Sequence, residues 1–425
     1  MKNFTEGQHA VRAGLFATLA AVVGAAGLVG LIALGGCGTV GGGGAAGGSG
    51  AGDARAGFSR TLDETRAYVP PKGAWERRAP EDFGIDGTKL AEAVAWAKQQ
   101  ESTWDFAKQE EIFGRKLGPL PASRASNNGV ILKDGYIIAE WGDIEAADPT
   151  YSVAKSYLAT ILGLTLDAGL IGSIDEPVGR RVADGGFASA HNARVTWRHF
   201  VTMTSEWEGA MFGKDSTLQG AAEHGRSASE PRPIRAPGTH FEYNDVRINR
   251  FALSMLKLWK RPLPEVFRER VMDPIGASGT WRWIPYDNAT VDIEGTPMPS
   301  ISGGTRWGGG LWISTLDHAR FALLISRGGA WGERQLVGRG YLAEATRPQG
   351  VKKDYGLLWW LNTENRWPAA GRETFSAQGA GDHSLWIDRA HGLVVVWRWH
   401  TGGDTQAEFY RRIFEAMPAS PASRS

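Results

Sequence analysis

Two Ser-x-x-Lys segments are the residues of this chain whose types and spacing could do chemistry. They are Ser152 with Lys155 and Ser254 with Lys257. Residues three apart lie on one face of a helix, so each pair could bring a hydroxyl and an amine together. A lysine kept neutral by burial or by a neighbouring cation could take the serine proton, which would make the hydroxyl a nucleophile.

The two pairs differ in their surroundings. Ser254 lies inside an apolar helical pattern, where a hydroxyl usually bonds to its own backbone. Ser152 follows a polar turn and opens an apolar helix. It could be an N-cap that accepts from a backbone N–H. It could instead be a nucleophile, with Lys155 one turn later and the helix N-terminus stabilising negative charge. These residues alone leave both interpretations open.

Other kinds of site have no support in the sequence. His-Glu-x-x-His, the Walker loop, the Gly-x-Ser-x-Gly elbow and the dinucleotide Gly fingerprint are absent. The nine His residues lack ligand spacing, so neither a metal nor a cofactor is predicted. With 47 basic and 46 acidic side chains, the chain has no basic excess of the kind that nucleic-acid binding needs.

The elements that must position these residues form an α+β pattern. Asp134-Gly135 between the apolar runs 129–132 and 136–141 predicts a hairpin, and a second hairpin is expected over 384–399. Strands at both ends with helices between them predict an antiparallel sheet that the C-terminal strands complete. Helices are expected at 85–101 with Asp86 near the start, 152–168 ending at Gly169, 195–204, 244–259, after Ser314, and at 409–417.

The first residues have the pattern of a secretion signal. Lys2 and Arg12 precede an apolar run over 13–34, and the only cysteine, Cys37, follows Leu-Gly-Gly. This resembles the bacterial lipobox, which implies a lipoprotein signal peptide over 1–37 and a lipid on Cys37. Residues 38–57 are mostly Gly, Ala and Ser, which predicts a flexible tether to the extracytoplasmic side of the cell envelope. The alternative is a membrane-spanning helix over the 22 uncharged residues.

Four segments resemble the serine β-lactamase-like family of class C β-lactamases, D-Ala-D-Ala carboxypeptidases, family VIII esterases and 6-aminohexanoate-dimer hydrolases. They follow the family's order: 129–170 around Ser152, 195–205 (family I-T-I-R-H-L-L-T-H-T-S), 237–245 (family P-G-x-x-F-x-Y-S-N) and 307–317 (family G-G-G-L-x-S-T-x-x-D). The resemblance covers about 80–415. It implies a β-lactamase/transpeptidase-like domain over 80–418, with an α/β part at about 80–165 and 300–418 and a helical part at about 166–299.

The resemblance also implies roles for single residues. Ser152 would be the nucleophile, and Lys155 and Tyr243 would move its proton. The backbone N–H groups of Ser152 and Ala380 would form the oxyanion hole.

Two departures from the family concern substrate binding. Asp245 stands where the family has Asn, and a carboxylate only accepts hydrogen bonds. The segment Ala377-Gln378-Gly379 is the expected third motif, because His400-Thr401-Gly402 leaves no room for a closing strand pair. It keeps the glycine but lacks the family's cation. Asp245, Gln378, Gly379 and Trp307 are predicted to contact substrate. An apolar acyl pocket could come from the aromatic residues Trp207, Phe212, Trp307, Trp312, Trp359 and Trp360.

The expected protein is a membrane-tethered serine hydrolase that cleaves an ester or small amide through an acyl-enzyme on Ser152. Without the third-motif cation, an esterase or amidase is favoured over an efficient β-lactamase. The alternatives are a D-Ala-D-Ala carboxypeptidase, a weak β-lactamase, or a non-catalytic binding or sensing module of the envelope. No cofactor is expected, and the partners are a small-molecule substrate and the membrane.

Overall fold

The computed structural model of this protein describes residues 68–217, 232–304 and 306–418. The expected signal peptide, the expected lipid site at Cys37 and the expected tether lie outside these residues. Within the three ranges, no helix combines the length and apolar character needed to cross a membrane.

Helices and short strands alternate through these ranges. The α-helices are α1 (Gly87–Lys98), α2 (Gln109–Phe113), α3 (Ala154–Asp167), α4 (Trp197–Val201), α5 (Asp245–Trp259), α6 (Leu263–Phe267), α7 (Thr315–Ser326), α8 (Arg339–Ala345) and α9 (Thr405–Ala416). The strands are β1 (Asn128–Lys133), β2 (Tyr136–Trp141), β3 (Asp148–Pro149), β4 (Ala210–Met211), β5 (Lys214–Asp215), β6 (Arg282–Ile284), β7 (Thr290–Ile293), β8 (Thr296–Pro299), β9 (Gly310–Ile313), β10 (Ala330–Trp331), β11 (Arg334–Gln335), β12 (Trp360–Leu361), β13 (Phe375–Gly379), β14 (His383–Asp388) and β15 (Leu393–Arg398).

The main sheet has six strands in the order β12-β13-β14-β15-β1-β2, and every adjacent pair is antiparallel. The C-terminal strand β15 pairs with β1, so the two ends of the domain meet in the sheet, as expected. Both faces of β15 are covered, since Val394 and Val396 face one core and Val395 and Trp397 the other. This double burial explains why the strand is a continuous apolar run in the sequence.

Each face of the sheet is covered by a pair of helices. The amphipathic helices α1 and α9 cover one face, where Trp397 lies 4.6 Å from Phe409, ring centroid to centroid. The apolar helices α3 and α7 cover the other and join the larger core. This α+β arrangement, an antiparallel sheet flanked by helices, confirms the predicted fold class.

A small three-stranded sheet, β3-β9-β6, lies beside the main one. Buried Arg398 at the end of β15 ties the two together. Its guanidinium donates to the carbonyl oxygens of Ile313 at 2.6 Å and Asp148 at 3.0 Å, and also to Pro149. Burial lowers the pKa of Arg398 to about 10. The hydrogen bonds of Arg398 therefore fix Asp148 and Pro149, which lead to Ser152.

The predicted hairpins and helices are confirmed, but several helices have other bounds. The helix expected over 85–101 spans Gly87–Lys98, and the one expected over 409–417 spans Thr405–Ala416. Asp134 and Gly135 both have positive φ, as the tight turn between β1 and β2 requires. Asp86 and Ser314 are N-caps, each accepting a backbone N–H three residues ahead. The helix expected over 195–204 ends at Val201, since Met203 adopts a φ of 58°. The helix expected from Ser152 begins at Ala154.

Candidate active site

Ser152 and Lys155 meet at the start of α3. Ser152 lies in a 3-10 turn, Tyr151–Val153, that runs into the helix. The Lys155 ammonium Nζ donates to Ser152 Oγ at 2.8 Å. The Ser152 side chain makes no N-cap bond to α3, whose N-cap position is Val153. Ser152 is half-buried while Lys155 is buried, so the hydroxyl is the more accessible of the two groups.

The residue before Ser152 has strained backbone geometry. Tyr151 has a φ of 48°, which is unfavourable for a residue with a Cβ and persists only where neighbours hold it. Its hydroxyl donates to Gln109 Oε1 at 2.8 Å and accepts from Trp104 Nε1 at 2.9 Å. Gln109 also donates to the Arg306 carbonyl at 2.9 Å. The segment between α1 and β1 therefore fixes the turn Tyr151–Val153, which contains Ser152.

A buried histidine holds the same turn from inside the domain. His318 on α7 lies 2.8 Å from Thr150 Oγ1 through one ring nitrogen, and 2.8 Å from the Tyr157 hydroxyl through the other. Burial lowers the pKa of His318 well below its ordinary value, so the ring is neutral and can accept one bond while donating the other.

Tyr243 and Asp245 reach Lys155 from the start of α5. The Lys155 Nζ lies 4.9 Å from the centre of the Tyr243 ring and 2.6 Å from Asp245 Oδ1. Asn244 caps α5 by accepting from the Arg247 N–H, so the helix start points both flanking residues at the lysine. The predicted neighbours Ser152, Lys155 and Tyr243 are brought together.

Asp245 lies within a buried cluster of charges. Its second oxygen, Oδ2, lies 2.9 Å from Arg306 Nε, and the side chain is 1% exposed. Burial favours the neutral acid, but Lys155 and Arg306 outweigh it and hold the pKa of Asp245 below its usual value. Gly304 allows the loop carrying Arg306 to approach, because an added methyl would lie 2.5 Å from the Asp245 carboxyl carbon. The carboxylate is therefore occupied by protein cations, and its predicted contact with substrate stays a prediction.

A second charge cluster holds the chain that precedes α5. Arg232 donates to both Glu206 and Glu242, and Arg247 donates to the same two carboxylates at 2.9 Å. Burial opposes the charge of Glu206, yet the two arginines lower its pKa to about 2. Since Glu242 is adjacent to Tyr243, these bonds fix the backbone that presents the phenol.

Strand β13 packs closely against the turn that contains Ser152. A methyl placed on Gly379 would lie 2.4 Å from the Thr150 carbonyl oxygen and 3.2 Å from the Ser152 nitrogen. Only glycine permits this approach. Ala380 follows directly at the end of the strand and packs against Tyr151, in the turn that contains Ser152. The expected oxyanion hole from the N–H groups of Ser152 and Ala380 stays a prediction, and the strand lies where that prediction needs it.

The other residues that are predicted to contact substrate differ in how far their side chains are buried. Gln378 is half-buried and bonds to Arg366 and Gln406. Trp307 is 4% exposed and donates to the Phe113 carbonyl, so it packs as core. Of the six aromatic residues considered for an acyl pocket, only Phe212 and Trp360 are half-buried. The buried four are Trp207, Trp307, Trp312 and Trp359.

The two remaining motifs are the pair Ser254 and Lys257 and the segment His400-Thr401-Gly402. Ser254 is buried and donates to the Arg250 carbonyl at 2.9 Å, the ordinary helical bond predicted for it. His400 stacks on Trp397 at 3.9 Å between ring centroids, on the sheet face covered by α1 and α9. His400-Thr401-Gly402 lies between β15 and α9, outside both, so it is a loop, as expected.

Sequence reasoning missed Gln109, Arg306 and Arg398, which hold the site without resembling any motif. Arg306 stands directly before the recognised Trp307 segment, and a basic residue in a Gly-rich turn was its only signal. In the ranges 68–217, 232–304 and 306–418, no group of three His, Cys, Asp or Glu residues could hold a metal. The arrangement offers a half-buried hydroxyl, an ammonium, a phenol and a close strand edge, which suits acyl transfer.

Several solved structures resemble this chain in fold. None of the curated proteins matches the chain. Solved structures with a similar fold include EstCE1, a hydrolase with promiscuous acyltransferase activity, at TM-score 0.52 and 17% identity, covering 78% of this chain and 99% of that one. A penicillin-binding protein homologue from Caulobacter crescentus has the same TM-score and the same shares at 15% identity. A β-lactamase/D-alanine carboxypeptidase from Pseudomonas syringae matches at TM-score 0.52 and 12% identity, covering 79% and 99%.

At these identities the three likenesses concern the fold alone. The model of the Beta-lactamase family matches residues 149–416, well over half of the chain. That match begins just before the turn that contains Ser152 and continues through the closing strands of the sheet. The chain therefore belongs to the Beta-lactamase family, whose members are hydrolases.

Proposed function

We propose that this protein is a serine hydrolase that cleaves an ester or a small amide through an acyl-enzyme on Ser152. The observation that carries the proposal is the 2.8 Å bond from Lys155 Nζ to Ser152 Oγ, with the Tyr243 ring 4.9 Å from the same nitrogen. A buried cation beside a half-buried serine hydroxyl and a phenol is the arrangement that nucleophilic catalysis needs.

The reaction has two steps. Ser152 Oγ attacks the substrate carbonyl, and the N–H groups of Ser152 and Ala380 stabilise the oxyanion. The bond to the leaving alcohol or amine then breaks, and the leaving group takes the proton that Ser152 released. Water hydrolyses the acyl-enzyme and restores the hydroxyl.

The contacts of Lys155 favour Tyr243 as the group that moves the proton. The Lys155 ammonium forms an ion pair with Asp245 Oδ1 at 2.6 Å and donates to Ser152 Oγ. An ammonium has no lone pair and cannot accept the serine proton. Tyr243 as a phenolate can accept it, with Lys155 beside its ring to stabilise the negative charge. Tyr243 would then return the proton to the leaving group.

Labelling of the full chain with a fluorophosphonate tests the proposal. We expect labelling in the wild type and in Ser254→Ala, whose hydroxyl is buried on its own helix, and none in Ser152→Ala. Turnover of p-nitrophenyl butyrate should exceed that of nitrocefin, because the third motif lacks a cation. A folded protein without labelling or turnover would refute the hydrolase and favour the non-catalytic binding module.

We also propose that a lipid on Cys37 holds the enzyme at the cell envelope, on the extracytoplasmic side. The support is the apolar run over 13–34, followed by Leu-Gly-Gly and the only cysteine of the chain. Incorporation of a fatty-acid analogue that Cys37→Ser abolishes would support the anchor. Equal incorporation in both proteins would contradict it.

A further inference from the structure

A buried amide opens a short helix whose next three residues are exposed. Gln109 is the first residue of α2 and is 0% exposed, whereas Glu110, Glu111 and Ile112 are all exposed. A buried amide is stable only when its donors and acceptors have partners. The side chain of Gln109 therefore points into the domain, where it bonds to other groups.

Both ends of the Gln109 amide bond to the candidate active site. Its Oε1 accepts from the Tyr151 hydroxyl at 2.8 Å, and its Nε2 donates to the Arg306 carbonyl at 2.9 Å. Tyr151 immediately precedes Ser152, and Arg306 forms the ion pair with Asp245 at 2.9 Å. One side chain thus bridges two segments that lie far apart in the chain.

These contacts belong to a closed ring of hydrogen bonds and ion pairs. The ring continues from Asp245 to Lys155 Nζ at 2.6 Å, and Lys155 donates to Ser152 Oγ at 2.8 Å. The path that leaves Gln109 through Nε2 therefore returns to the residue that follows Tyr151. Because neither segment can move without breaking a bond, the ring fixes the Ser152 hydroxyl relative to the charges of Lys155 and Asp245.

The strained backbone before Ser152 depends on the bond to Gln109. Tyr151 has a φ of 48°, a conformation that persists only where neighbouring groups hold it. Burial raises the pKa of Tyr151, so its hydroxyl stays protonated and donates to Gln109. Trp104 Nε1 donates to the same hydroxyl and cannot replace Gln109 as its acceptor. Without Gln109, the buried hydroxyl would lose that acceptor and the turn could relax.

We propose that Gln109 is a positioning residue for the attack of Ser152, and that it controls the rate of acylation by holding Tyr151 and Arg306 in a fixed relation. The inference rests on the proposed hydrolase function. Gln109 acts through these two residues and not through the substrate. Its loss should therefore lower the reactivity of Ser152 and leave substrate affinity nearly unchanged. A purely structural residue would lower only the free energy of unfolding.

Saturation labelling of the full chain with a fluorophosphonate tests the assignment. It measures the maximal rate of labelling and the probe concentration that gives half of that rate. Gln109→Met nearly keeps the side-chain volume but removes the amide, and it should lower the maximal rate about 10- to 100-fold. The half-saturating concentration should stay within about threefold of the wild type. Tyr151→Phe breaks the same bond from its other end and should give the same result, also where Gln109→Met does not fold.

The double variant tests whether the two residues act through one bond. Since both single changes break that bond, Gln109→Met combined with Tyr151→Phe should be slower than the slower single variant by at most about threefold. Losses that multiply in the double variant would overturn the shared link. Urea unfolding of each variant shows that the labelled protein is folded.

Gln335→Met is the matched control, because the Gln335 amide in β11 also donates to backbone carbonyls, those of Gly328 and Val337. It should leave both labelling parameters within about twofold of the wild type. Wild-type rates in folded Gln109→Met and Tyr151→Phe, with labelling still lost in Ser152→Ala, would overturn the role of Gln109 alone. A folded wild type that takes no label would overturn the hydrolase and this role together.

Discussion

At the scale of single residues, the carboxylate of Asp245 distinguishes this site from the family pattern. An amide at this position would be neutral, whereas Asp245 lies between the ammonium of Lys155 and the guanidinium of Arg306. Such a buried charge stabilises the fold only while its ion-pair partners are present. Asp245 therefore positions Lys155 under Ser152 through an ion pair, and Arg306 balances the charge.

Asp245→Asn should destabilise the fold and slow the enzyme. Removing one member of a buried ion pair costs about 3–5 kcal/mol, because the remaining charges lose their partner. We expect a lower free energy of unfolding in urea, and at least a tenfold lower kcat/KM for p-nitrophenyl butyrate.

The matched control is Asp175→Asn, which removes a carboxylate that is 59% exposed and paired with Arg198. An exposed pair contributes at most about 1 kcal/mol. If Asp245→Asn cost no more than Asp175→Asn, Asp245 would not be an anchor for Lys155.

At the scale of elements, the site depends on how closely β13 approaches the turn before α3. The strand passes so near that Gly379 has no room for a side chain beside Thr150 and Ser152. Tyr151 keeps its strained φ because Gln109 and Trp104 hold its hydroxyl. The separation of these two elements sets the position of Ser152 relative to the strand edge.

Gly379→Ala should separate the strand from the turn. The added methyl would lie 2.4 Å from the Thr150 carbonyl oxygen, so one of the two elements must move. Overpacking of this kind costs about 1–3 kcal/mol, and a small displacement of the nucleophile lowers activity about 100-fold. The measurements are kcat/KM with p-nitrophenyl butyrate and the free energy of unfolding.

Gly340→Ala is the control for this substitution. Gly340 lies in α8, and a methyl there would meet no atom within 4 Å. Alanine is the better helix former, so stability should stay equal or rise slightly. Wild-type activity in Gly379→Ala would show that the turn tolerates a wider gap.

At the scale of the whole molecule, buried neutral histidines make the free energy of unfolding depend on pH. His318 and His383 are fully buried, and burial lowers their pKa well below the ordinary value. Burial lowers the pKa of His400 to about 4. Asp382 is the counterpart, since burial raises its pKa to about 6.

Stability should therefore fall as the pH decreases from about 6.5 towards 4.5. The unfolded chain protonates all three histidines in this window while the folded chain does not, and each contributes about 1.4 kcal/mol per pH unit. Asp382 opposes them, because the folded state takes up its proton first. The net slope should be about 2–3 kcal/mol per pH unit near pH 5, measured by urea unfolding at fixed pH. A stability that is flat or rises as the pH decreases would contradict the buried neutral state.

The sequence by itself determined the features that depend on neighbouring residues. The pairing of Ser152 with Lys155 follows from the three-residue spacing of one helical turn. The first hairpin follows from Asp134-Gly135, since that turn needs two residues that accept positive φ. The place of Ala377-Gln378-Gly379 follows from chain order, because the hairpin after it must close the sheet.

Only the tertiary structure decided what these residues contact. The bonds from Tyr151 to Gln109 and from Lys155 to Asp245 each join residues dozens of positions apart. Local propensity and spacing carry no information on such pairs, because the packing of the sheet and helices sets which distant groups share one buried volume. Asp245, which the sequence predicts to contact substrate, forms an internal ion pair with Lys155 and Arg306 for this reason.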